Sequence, residues 1–486
     1  MCIVVADARN NRISELEADL AAKDAKIVEQ DAKIAEQDAK IVSFEERVAE
    51  LLEKLNQNSS NSHKPPSSDP PGNRKEHRAN AKNKRRRGGQ KGHNGSRRKL
   101  LPPDQVDQCV DHFPHECESC WKPLPEIHDP HATRYQFTEV PPIRPHTTEH
   151  RRHAVRCPHC SYVTRAAYDE TRIPASPFGP RLMALMAMLT GIYHLSRRKA
   201  QRLLSDVLGV DVSLGGLSNV EARVSDAIKP AVTEVWTRVG QDEIKHADGT
   251  SWLQAGVTLC LWTIATKAAT VFKIISDGSA KTLAPLFGTL QGILVSDRAT
   301  ALNFWAMARR QICWAHLLRK MVSFSERDGR AGAFGKELLD YTGLIFEYWH
   351  NFKDDKLSRA QLVSRMVPVR QQFDALLARI VAADIKGVSG SCSNMLAHKE
   401  ALWTFVDHDG VDPTNNHAER ELRAFVLWRR RSFGTQSERG NLFAERLMTV
   451  AHTARKQNKN VFDFLTACCQ ARPDTPAPSL FDAEAC

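Results

Sequence analysis

The chain has 486 residues, 42% of them hydrophobic, and a formal net charge of +11. A chain of this length can bury more than one core, so several domains are expected. The excess positive charge favours a polyanionic partner, and it is concentrated: residues 74–99 hold twelve lysines or arginines and one acid. Nucleic acid is therefore the leading partner.

The sequence predicts neither a membrane span nor a secretory signal. The most apolar stretch, 182–195, is too short to cross a bilayer and contains Gly191 and His194. The first residues, MCIVVADARNNR, lack a basic start followed by a long apolar stretch. Only four of the twelve cysteines form CxxC pairs, which suits a metal site plus free thiols better than a disulfide framework. We expect a cytoplasmic protein with no membrane partner.

Residues 1–57 carry a heptad pattern. Apolar positions alternate at steps of three and four, backed by the near repeat AKIVEQD, AKIAEQD, AKIVSFE. Lys23, Gln30 and Gln37 interrupt the seam and should restrict register and partner number. We predict a coiled coil that makes at least a dimer and ends by Asn56, with a single solvated helix as the alternative.

Residues 58–105 are predicted to be a disordered basic linker, because the segment begins polar and proline-rich and continues as KNKRRRGGQKGHNGSRRK. Its cations can follow a phosphate backbone, and a solvated tether is the alternative. The predicted DNA-binding residues of this segment are Lys82, Lys84, Arg85, Arg86, Arg87, Lys91, Arg97, Arg98 and Lys99.

Residues 106–170 contain two CxxC pairs. Cys117 and Cys120 form the first, and Cys157 and Cys160 form the second. Two such pairs supply the four thiolates of a closed structural zinc site. Nearby Cys109, His112, His115 or His159 could replace a thiolate, and reduced, unpaired cysteines are the alternative.

Residues 171–240 are helical by period. Helices are predicted over 181–193, 196–208 and 214–228, with short breaks between them. This arrangement suits a helix-turn-helix that binds DNA, although ordinary helical packing produces the same pattern.

From residue 241 the periodicity becomes that of strands, followed by alternating helices. Helices are expected over 280–290 and 299–310. A meander followed by crossovers implies a mixed sheet with helices packed on it, in the strand order of a ribonuclease-H-like core. The predicted strands are 243–248, 256–266, 270–276, 292–297 and 311–315.

Three acids stand out in this core. Asp248 and Asp297 end predicted strands that lie side by side, so they can converge, and Glu419 opens a helix after DPTNNHA. Carboxylates grouped in this way bind hard cations such as Mg²⁺ or Mn²⁺. Each acid also has an ordinary explanation: Asp248 with Gly249 as a hairpin turn, Asp297 as a helix N-cap, and Glu419 in a capping box.

The remaining segments complete a multidomain α/β arrangement. The core is predicted to run from 241–320 and to resume at 413–470 with the helix of Glu419. The intervening 321–412 is a helical insertion, and 471–486 is a tail. His316 could reach the acidic site or a phosphate, with core packing favoured for its neighbours Cys313 and Trp314.

Several long motifs resemble the IS66-type insertion-sequence transposases, within the DDE class. These are RRRGGQKGHNG, LLPPDQVDQ, DGTSWLQAG, VSDRATALNFWAMARRQICWAHLLRK and DPTNNHAERELR, together with the two cysteine pairs. The resemblance implies that Asp248, Asp297 and Glu419 are the catalytic triad on a ribonuclease-H-like fold. It also implies a bacterial, nucleoid-associated protein that works with other products of its element. Gly249 is a departure, because the family commonly has an acid at that place.

Such a site uses two divalent ions, one activating the attacking oxygen and one stabilising the leaving oxygen of a phosphodiester. Water attacks at a transposon end, and the freed 3′-OH then attacks target DNA. Arg298, Arg420 and Arg423 would offset phosphate charge on double-stranded DNA. Two other functions stay open: a catalytically silent, transposase-derived DNA-binding regulator, and a ribonuclease-H-like nuclease.

Overall fold

The structure is a computed structural model that describes residues 2–58, 61–62, 98–168, 173, 176–472 and 475–481. The chain divides into two compact units. The first joins residues 1–77 to Trp314–Lys399, and the second joins Arg78–Cys313 to Glu400–Cys486. In the described ranges, no helix has the length and apolar character needed to cross a membrane.

The α-helices are numbered in chain order. Those before the sheet are α1 (Cys2–Asn56), α2 (Pro180–Ala187), α3 (Arg197–Leu208), α4 (Leu214–Ala227) and α5 (Lys229–Gln241). The later ones are α6 (Ala280–Phe287), α7 (Trp314–Ser325), α8 (Gly329–Lys353), α9 (Arg359–Ala382), α10 (Ser389–Ala397), α11 (Thr404–Asp407), α12 (Asn416–Ser432), α13 (Glu438–Lys456) and α14 (Val461–Gln470).

The strands form two sheets. A short antiparallel pair consists of β1 (Ala154–Arg156) and β2 (Val163–Arg165). The main sheet contains β3 (Ile244–Gln254), β4 (Val257–Ala265), β5 (Thr270–Ile275), β6 (Ile293–Ser296) and β7 (Arg310–Ile312).

The first unit is helical in its described part. It contains α1 and the run α7 to α10. Helix α1 ends at Asn56, where the change to polar, proline-rich sequence predicted its end. Within α7 to α10 the apolar faces pack on one another, for example Trp314 against Phe373 with ring centroids 5.4 Å apart. The segment predicted as a helical insertion is therefore helical, but its compact part spans 314–399.

The three helices predicted before the sheet are present as α2, α3 and α4. Helix α2 continues into a π-helical turn, Met188–Ile192. Ser196 and Ser213 cap the next two helices, since their hydroxyls accept the backbone N–H groups three residues on. The structure thus supplies the helices, and their identity as a DNA-binding helix-turn-helix stays a prediction.

The five strands of the main sheet stand in the order β5-β4-β3-β6-β7. The first three strands in the chain form an antiparallel meander, and β6 and β7 join it in parallel with β3. The β3–β4 hairpin turns at Ala255 and Gly256, whose φ angles are +48° and +85°. Such a turn matches the twist of paired strands. The main sheet contains both antiparallel and parallel strand pairs, as the sequence predicted.

Helices cover both faces of this sheet. On one face, Trp252 of β3 packs edge-on against Phe425 and Trp428 of α12, with ring centroids 5.4 and 5.9 Å apart. On the other, Trp262 of β4 meets Phe287 of α6 at 6.5 Å. Side chains alternate along a strand, so even-numbered β3 residues face α12.

Two sequence expectations about the core are wrong. The first strand does not end at Asp248, because β3 continues paired with β4 as far as Gln254. The Asp248–Gly249 pair is therefore in mid-strand and makes no hairpin turn. No α-helix forms over 299–310 either; two 3₁₀ turns, Thr300–Leu302 and Met307–Arg309, take its place.

The reason for the missing helix is tertiary anchoring, which overrides local helix propensity. The Oδ1 atom of Asp297 accepts the Ala299 N–H at 2.9 Å and fixes a turn. Trp305 is 7% exposed, and its indole N–H donates to the Gly292 carbonyl at 3.1 Å. The segment is thus folded back on the start of β6.

Candidate functional site

Asp248 and Asp297 lie at the same level on neighbouring parallel strands. The pairing of β3 with β6 joins Ile244 to Ile293 and His246 to Val295. Two residues further along each strand direction, Asp248 comes opposite Asp297, which directly follows the last residue of β6. Adjacent strands are about 4.8 Å apart, so the register brings these two acids together. Both are half-buried.

Asp248 faces the helix that carries Glu419. Asp248 shares a strand face with His246 and Trp252. His246 stacks on His417 of α12 with ring centroids 5.0 Å apart, and Trp252 packs on the same helix. Glu419 stands in the first turn of α12 and is half-buried.

Asn415 ties the start of α12 to strands β3 and β6. It is fully buried, and its Nδ2 donates to the carbonyl of Ala247, the residue before Asp248, at 2.8 Å. Its backbone N–H donates to Cys313 Sγ at 3.1 Å, and the Cys313 N–H donates to the Ser296 carbonyl at 2.8 Å. The residues directly before Asp248 and Asp297 are thus linked by hydrogen bonds, through Asn415 and Cys313, to the start of the helix that carries Glu419.

Cys313 is part of this arrangement rather than only a core residue. It is fully buried, and its sulfur lies within 4.8 Å of a Glu419 carboxylate oxygen. Cys313 follows β7, which pairs with β6. The sequence favoured core packing for it, and its burial agrees with that expectation.

A buried arginine supports the Asp297 turn. Arg310 is fully buried in β7, and its guanidinium donates to the Asp297 carbonyl at 3.2 Å and to Asn303 Oδ1 at 3.0 Å. Burial lowers the pKa of Arg310, while the nearby Asp297 charge raises it. The sequence placed Arg310 at the end of an expected helix and did not indicate its burial, which depends on the pairing of β7 with β6.

Behind Glu419, α12 and α13 share a network of buried ionisable groups. Glu421 accepts a hydrogen bond from His452 and pairs with Lys456 at 3.2 Å. Burial raises the pKa of Glu421, but His452 and Lys456 outweigh it and lower that pKa to about 2. Lys456 in turn contacts His417 at 2.9 Å and donates to the Thr266 carbonyl at 2.6 Å. The network fixes α12 beside the sheet.

The predicted basic residues are divided between described and undescribed parts of the chain. Arg420 and Arg423 are exposed on α12, and Arg298 is half-buried directly after Asp297. Arg98 donates to Thr138 in the second unit, and Lys99 is exposed beside it. The other predicted DNA-binding residues lie outside the described residues: Lys82, Lys84, Arg85, Arg86, Arg87, Lys91 and Arg97. His316 lies on α7 in the first unit and is half-buried.

The two CxxC pairs form matching turns. In each, the residue after the second cysteine donates its N–H to the carbonyl of the first cysteine: Trp121 to Cys117 and Ser161 to Cys157, both at 2.9 Å. Trp121 and Ser161 have φ angles of +59° and +60°. The sequences therefore adopt the same backbone turn twice, although neither has glycine at the left-handed position.

The chemistry of the turns suits a metal, but the pairs are apart. Backbone N–H groups within each pair donate to the first sulfur and lower the pKa of Cys117 and Cys157. Thiolate is the form that zinc binds. Within residues 98–168, however, no three of the four sulfurs lie within 4.8 Å of one another. The four-cysteine zinc site thus stays a prediction.

Two family models match the chain. The model described as Transposase IS66 family matches residues 175–442, and a family of unknown function, DUF6444, matches residues 7–99. A search of curated proteins found no match. The first model covers more than half of the 486 residues and all three acids. The chain therefore belongs to the IS66 family of transposases.

Proposed function

We propose that this transposase cleaves DNA at transposon ends and transfers the freed strands into target DNA at Asp248, Asp297 and Glu419. The observation that carries the proposal is the parallel register of β3 and β6, which sets Asp248 level with Asp297. The hydrogen bond from Asn415 to the Ala247 carbonyl supports the third acid, because it joins the helix of Glu419 to the strand of Asp248.

The sheet supports a ribonuclease-H-like core. Numbered from the first strand of the main sheet, its order is three-two-one-four-five, with the second strand antiparallel to its neighbours. Asp248 lies within the first of these strands, Asp297 directly follows the fourth, and Glu419 lies in the first turn of a later helix. This order of acids agrees with what the resemblance to the DDE class implies.

The donor set has the chemistry for hard divalent cations, since three carboxylates supply the oxygen ligands that Mg²⁺ or Mn²⁺ prefers. Among the described residues, however, the carboxylates of Asp248, Asp297 and Glu419 do not all lie within 4.8 Å of one another. Asp248, Asp297 and Glu419 would hold two such ions, which supply charge stabilisation to the attacking and leaving oxygens when bound. The chain's own residues do the positioning. Arg310 and Asn415 hold the backbone beside the acids, and Arg298, Arg420 and Arg423 offset phosphate charge.

The reaction has two displacements at phosphorus. In the first, water attacks a phosphodiester at the transposon end and releases a 3′-OH. In the second, that 3′-OH attacks a target phosphodiester, and the target's own 3′-oxygen leaves. Neither displacement requires a covalent bond to the protein or a nucleotide cofactor. The freed 3′-OH must stay beside the acids between the two.

End recognition is assigned to the basic segment 82–99, the cysteine module and the helices α2 to α4. Pairing of two ends requires at least two subunits, which α1 could join through its heptads. Because its substrate is DNA, we place the activity in the cytoplasm of a bacterial cell, at the nucleoid. Other products of the same element are proposed as accessory partners.

The test is Asp297→Asn, assayed with Mg²⁺ on double-stranded DNA that carries candidate terminal repeats. Strand cleavage should be abolished while end binding is nearly retained, because the substitution removes a ligand charge without removing the proposed DNA contacts. Asp340→Asn, which changes an exposed acid on α8, is the control and should cleave normally.

Other outcomes separate the rival functions. Binding without cleavage by the unaltered protein would support a silent DNA-binding regulator. Cleavage without strand joining would support a nuclease. Loss of DNA binding in a folded Asp297→Asn protein would contradict the separation of binding from catalysis.

A further inference from the structure

The exposed side of α12 forms a cationic stripe that begins next to Glu419. At 100° per residue its members fall within an arc of about 100°, so they form one face of the helix. The stripe spans about 16 Å at 1.5 Å per residue, which corresponds to about five nucleotide steps of a DNA strand. All its members are exposed: Arg420, Arg423, Leu427, Arg430 and Arg431.

The opposite side of the helix fixes the stripe in position. Leu422, Phe425 and Trp428 are buried in the core of the second unit. Arg429 lies on this same side of the helix, and its guanidinium donates to the Ser251 hydroxyl at 2.6 Å and to Thr250 Oγ1 at 3.3 Å on β3. The arginines of the stripe therefore project from a helix that cannot turn about its axis.

The stripe ends at an exposed aromatic ring. Phe433 follows α12 directly, and 73% of its surface is exposed. Its φ angle is +56°, a left-handed conformation that is costly for a bulky residue. Because most of the Phe433 ring is exposed, burial of the ring contributes little to the stability of the fold. Packing therefore does not explain why this residue occupies a strained position.

The neighbouring backbone holds Phe433 in that conformation. The Phe433 N–H donates to the Arg429 carbonyl at 2.9 Å and closes the helix. Gly434, with φ of +84°, approaches β3 so closely that a Cβ would lie 2.0 Å from the Leu253 carbonyl oxygen. The Thr435 N–H donates to that same oxygen at 2.9 Å. Strain that the surrounding structure enforces is characteristic of functional positions.

We propose that Phe433 stacks on an unpaired base of the DNA strand whose phosphates follow the α12 stripe to Glu419. This inference rests on the proposed function, since it takes Glu419 to be at the reacting phosphodiester. Fourteen residues of helix separate the two positions by about 21 Å, or about six nucleotide steps. A base in a duplex is covered by its stacked neighbours, whereas an unpaired base has a free face for an aromatic ring.

Fluorescence anisotropy with two labelled DNAs tests the base contact. One is a blunt duplex, and the other is the same duplex with a 3′ single-stranded extension that contains 2-aminopurine. Phe433→Leu removes the ring but keeps apolar bulk, and it should weaken binding of the extended DNA by about tenfold. Binding of the blunt duplex should change little. Phe433→Trp should keep the preference for the extended DNA over the blunt duplex and should quench the fluorescence of 2-aminopurine.

The salt dependence of binding tests the phosphate contact. Replacing Arg430 and Arg431 by glutamine should lower the slope of log K against log salt by about 2, one for each lost contact. The lysine pair at the same positions keeps the charge and should keep the slope. An unchanged slope in the glutamine protein would overturn the phosphate track.

These results are separable from failure of the proposed function. They are read from binding, and Asp297→Asn, which is expected to bind but not cleave, should show the same Phe433 and arginine effects. If Phe433→Leu binds the extended DNA as tightly as the unaltered protein, the stacking proposal is wrong. A change in oligomer size by light scattering, with DNA binding intact, would also overturn it, because the ring would then be a protein contact.

Discussion

Gly249 shows how close packing against a neighbouring ring can require a glycine. It pairs with Trp262 across β3 and β4. A Cβ at position 249 would lie 2.8 Å from the Trp262 ring, which is 6% exposed and cannot move freely. The indole therefore occupies the space that any larger side chain at position 249 would need. The glycine and the tryptophan are best understood as one packed pair.

We predict that Gly249→Ala destabilises the second unit. Displacing a buried indole costs about 1–3 kcal/mol, and urea denaturation followed by tryptophan fluorescence would measure it. Gly215→Ala on α4 is the matched control, because its added Cβ meets nothing closer than 3.9 Å. The control should be neutral or slightly stabilising, since alanine favours helix. Equal effects at both positions would contradict the packing argument.

At the scale of elements, α13 closes the outer edge of the sheet. Strand β5 stands at one end of the sheet. Its N–H groups at Thr270, Phe272 and Ile274 donate to the side chains of Thr453, Thr449 and Glu445, at 3.1, 3.1 and 2.6 Å. Acceptors four residues apart on the helix thus match N–H groups two residues apart on the strand. The helix takes the place of a further strand and satisfies the hydrogen-bond donors at the edge of the sheet.

Thr449→Val should therefore destabilise the fold although it preserves shape and apolar volume. The Phe272 N–H loses its acceptor and stays buried, which costs about 1–3 kcal/mol. Thr237→Val on α5 provides the comparison: its hydroxyl is exposed and bonds only its own helix backbone, so it should cost a few tenths of a kcal/mol. Chemical denaturation of the two proteins decides between them, and a neutral Thr449→Val would show that the edge bonds contribute little.

The sequence predicted the helices and strands well where the local residue pattern determines the conformation, and poorly where contacts with distant residues determine it. The runs that became β4 and β5 are rich in β-branched and aromatic residues, and their periodicity was sufficient. Asp248 and Gly249 suggested a turn, but pairing with Trp262 and its neighbours extends the strand. Residues 299–310 favour helix locally, yet the Trp305 and Arg310 side chains bind distant backbone carbonyls. Those contacts have no local signature in the sequence.

The sequence likewise predicted some features of the acidic site and missed others. The motifs singled out three acids, and the order of strands predicted that Asp248 and Asp297 would be neighbours. The roles of Asn415 and Arg310 were missed, because each depends on a carbonyl supplied by another element. The doubled asparagine before the Glu419 helix was the only signal, and it did not reveal which partner Asn415 would have.

The cysteine turns give a prediction about pH. Because the pKa of Cys117 and Cys157 is lowered from the usual 9.0, each first cysteine should hold more thiolate than an ordinary thiol below that pH. Alkylation by iodoacetamide, followed by mass spectrometry across a pH series, should therefore reach half of its maximal rate below pH 9.0 at Cys117 and Cys157. The midpoint does not depend on how exposed each sulfur is.

Zinc extends that experiment. If the four thiolates bind one ion, added Zn²⁺ should slow alkylation of Cys117, Cys120, Cys157 and Cys160 together. Cys109 should react as before and serves as the internal reference. Equal alkylation rates with and without zinc would contradict the four-cysteine site.

At the scale of the whole molecule, α1 carries a sequence pattern that calls for a second copy. It runs unbroken from Cys2 to Asn56, yet the apolar seam residues Ile27, Ile34 and Ile41 are 54–55% exposed. A single helix in water gains nothing from a strict 3.5-residue period. The proposed function also requires two subunits to hold two DNA ends, so the same surface would serve both assembly and function.

We predict that Ile27→Asp with Ile41→Asp converts the oligomer to a monomer. Each charge would lie in the apolar seam, where burial without a partner is unfavourable. The matched control is Val28→Asp with Val42→Asp, which makes the same change one position along the helix, at side chains 68% and 55% exposed. Light scattering should show the smaller mass only for the seam protein. If both proteins keep the mass of the unaltered chain, the heptads do not drive assembly; if both become monomeric, the contact surface is wider than the seam.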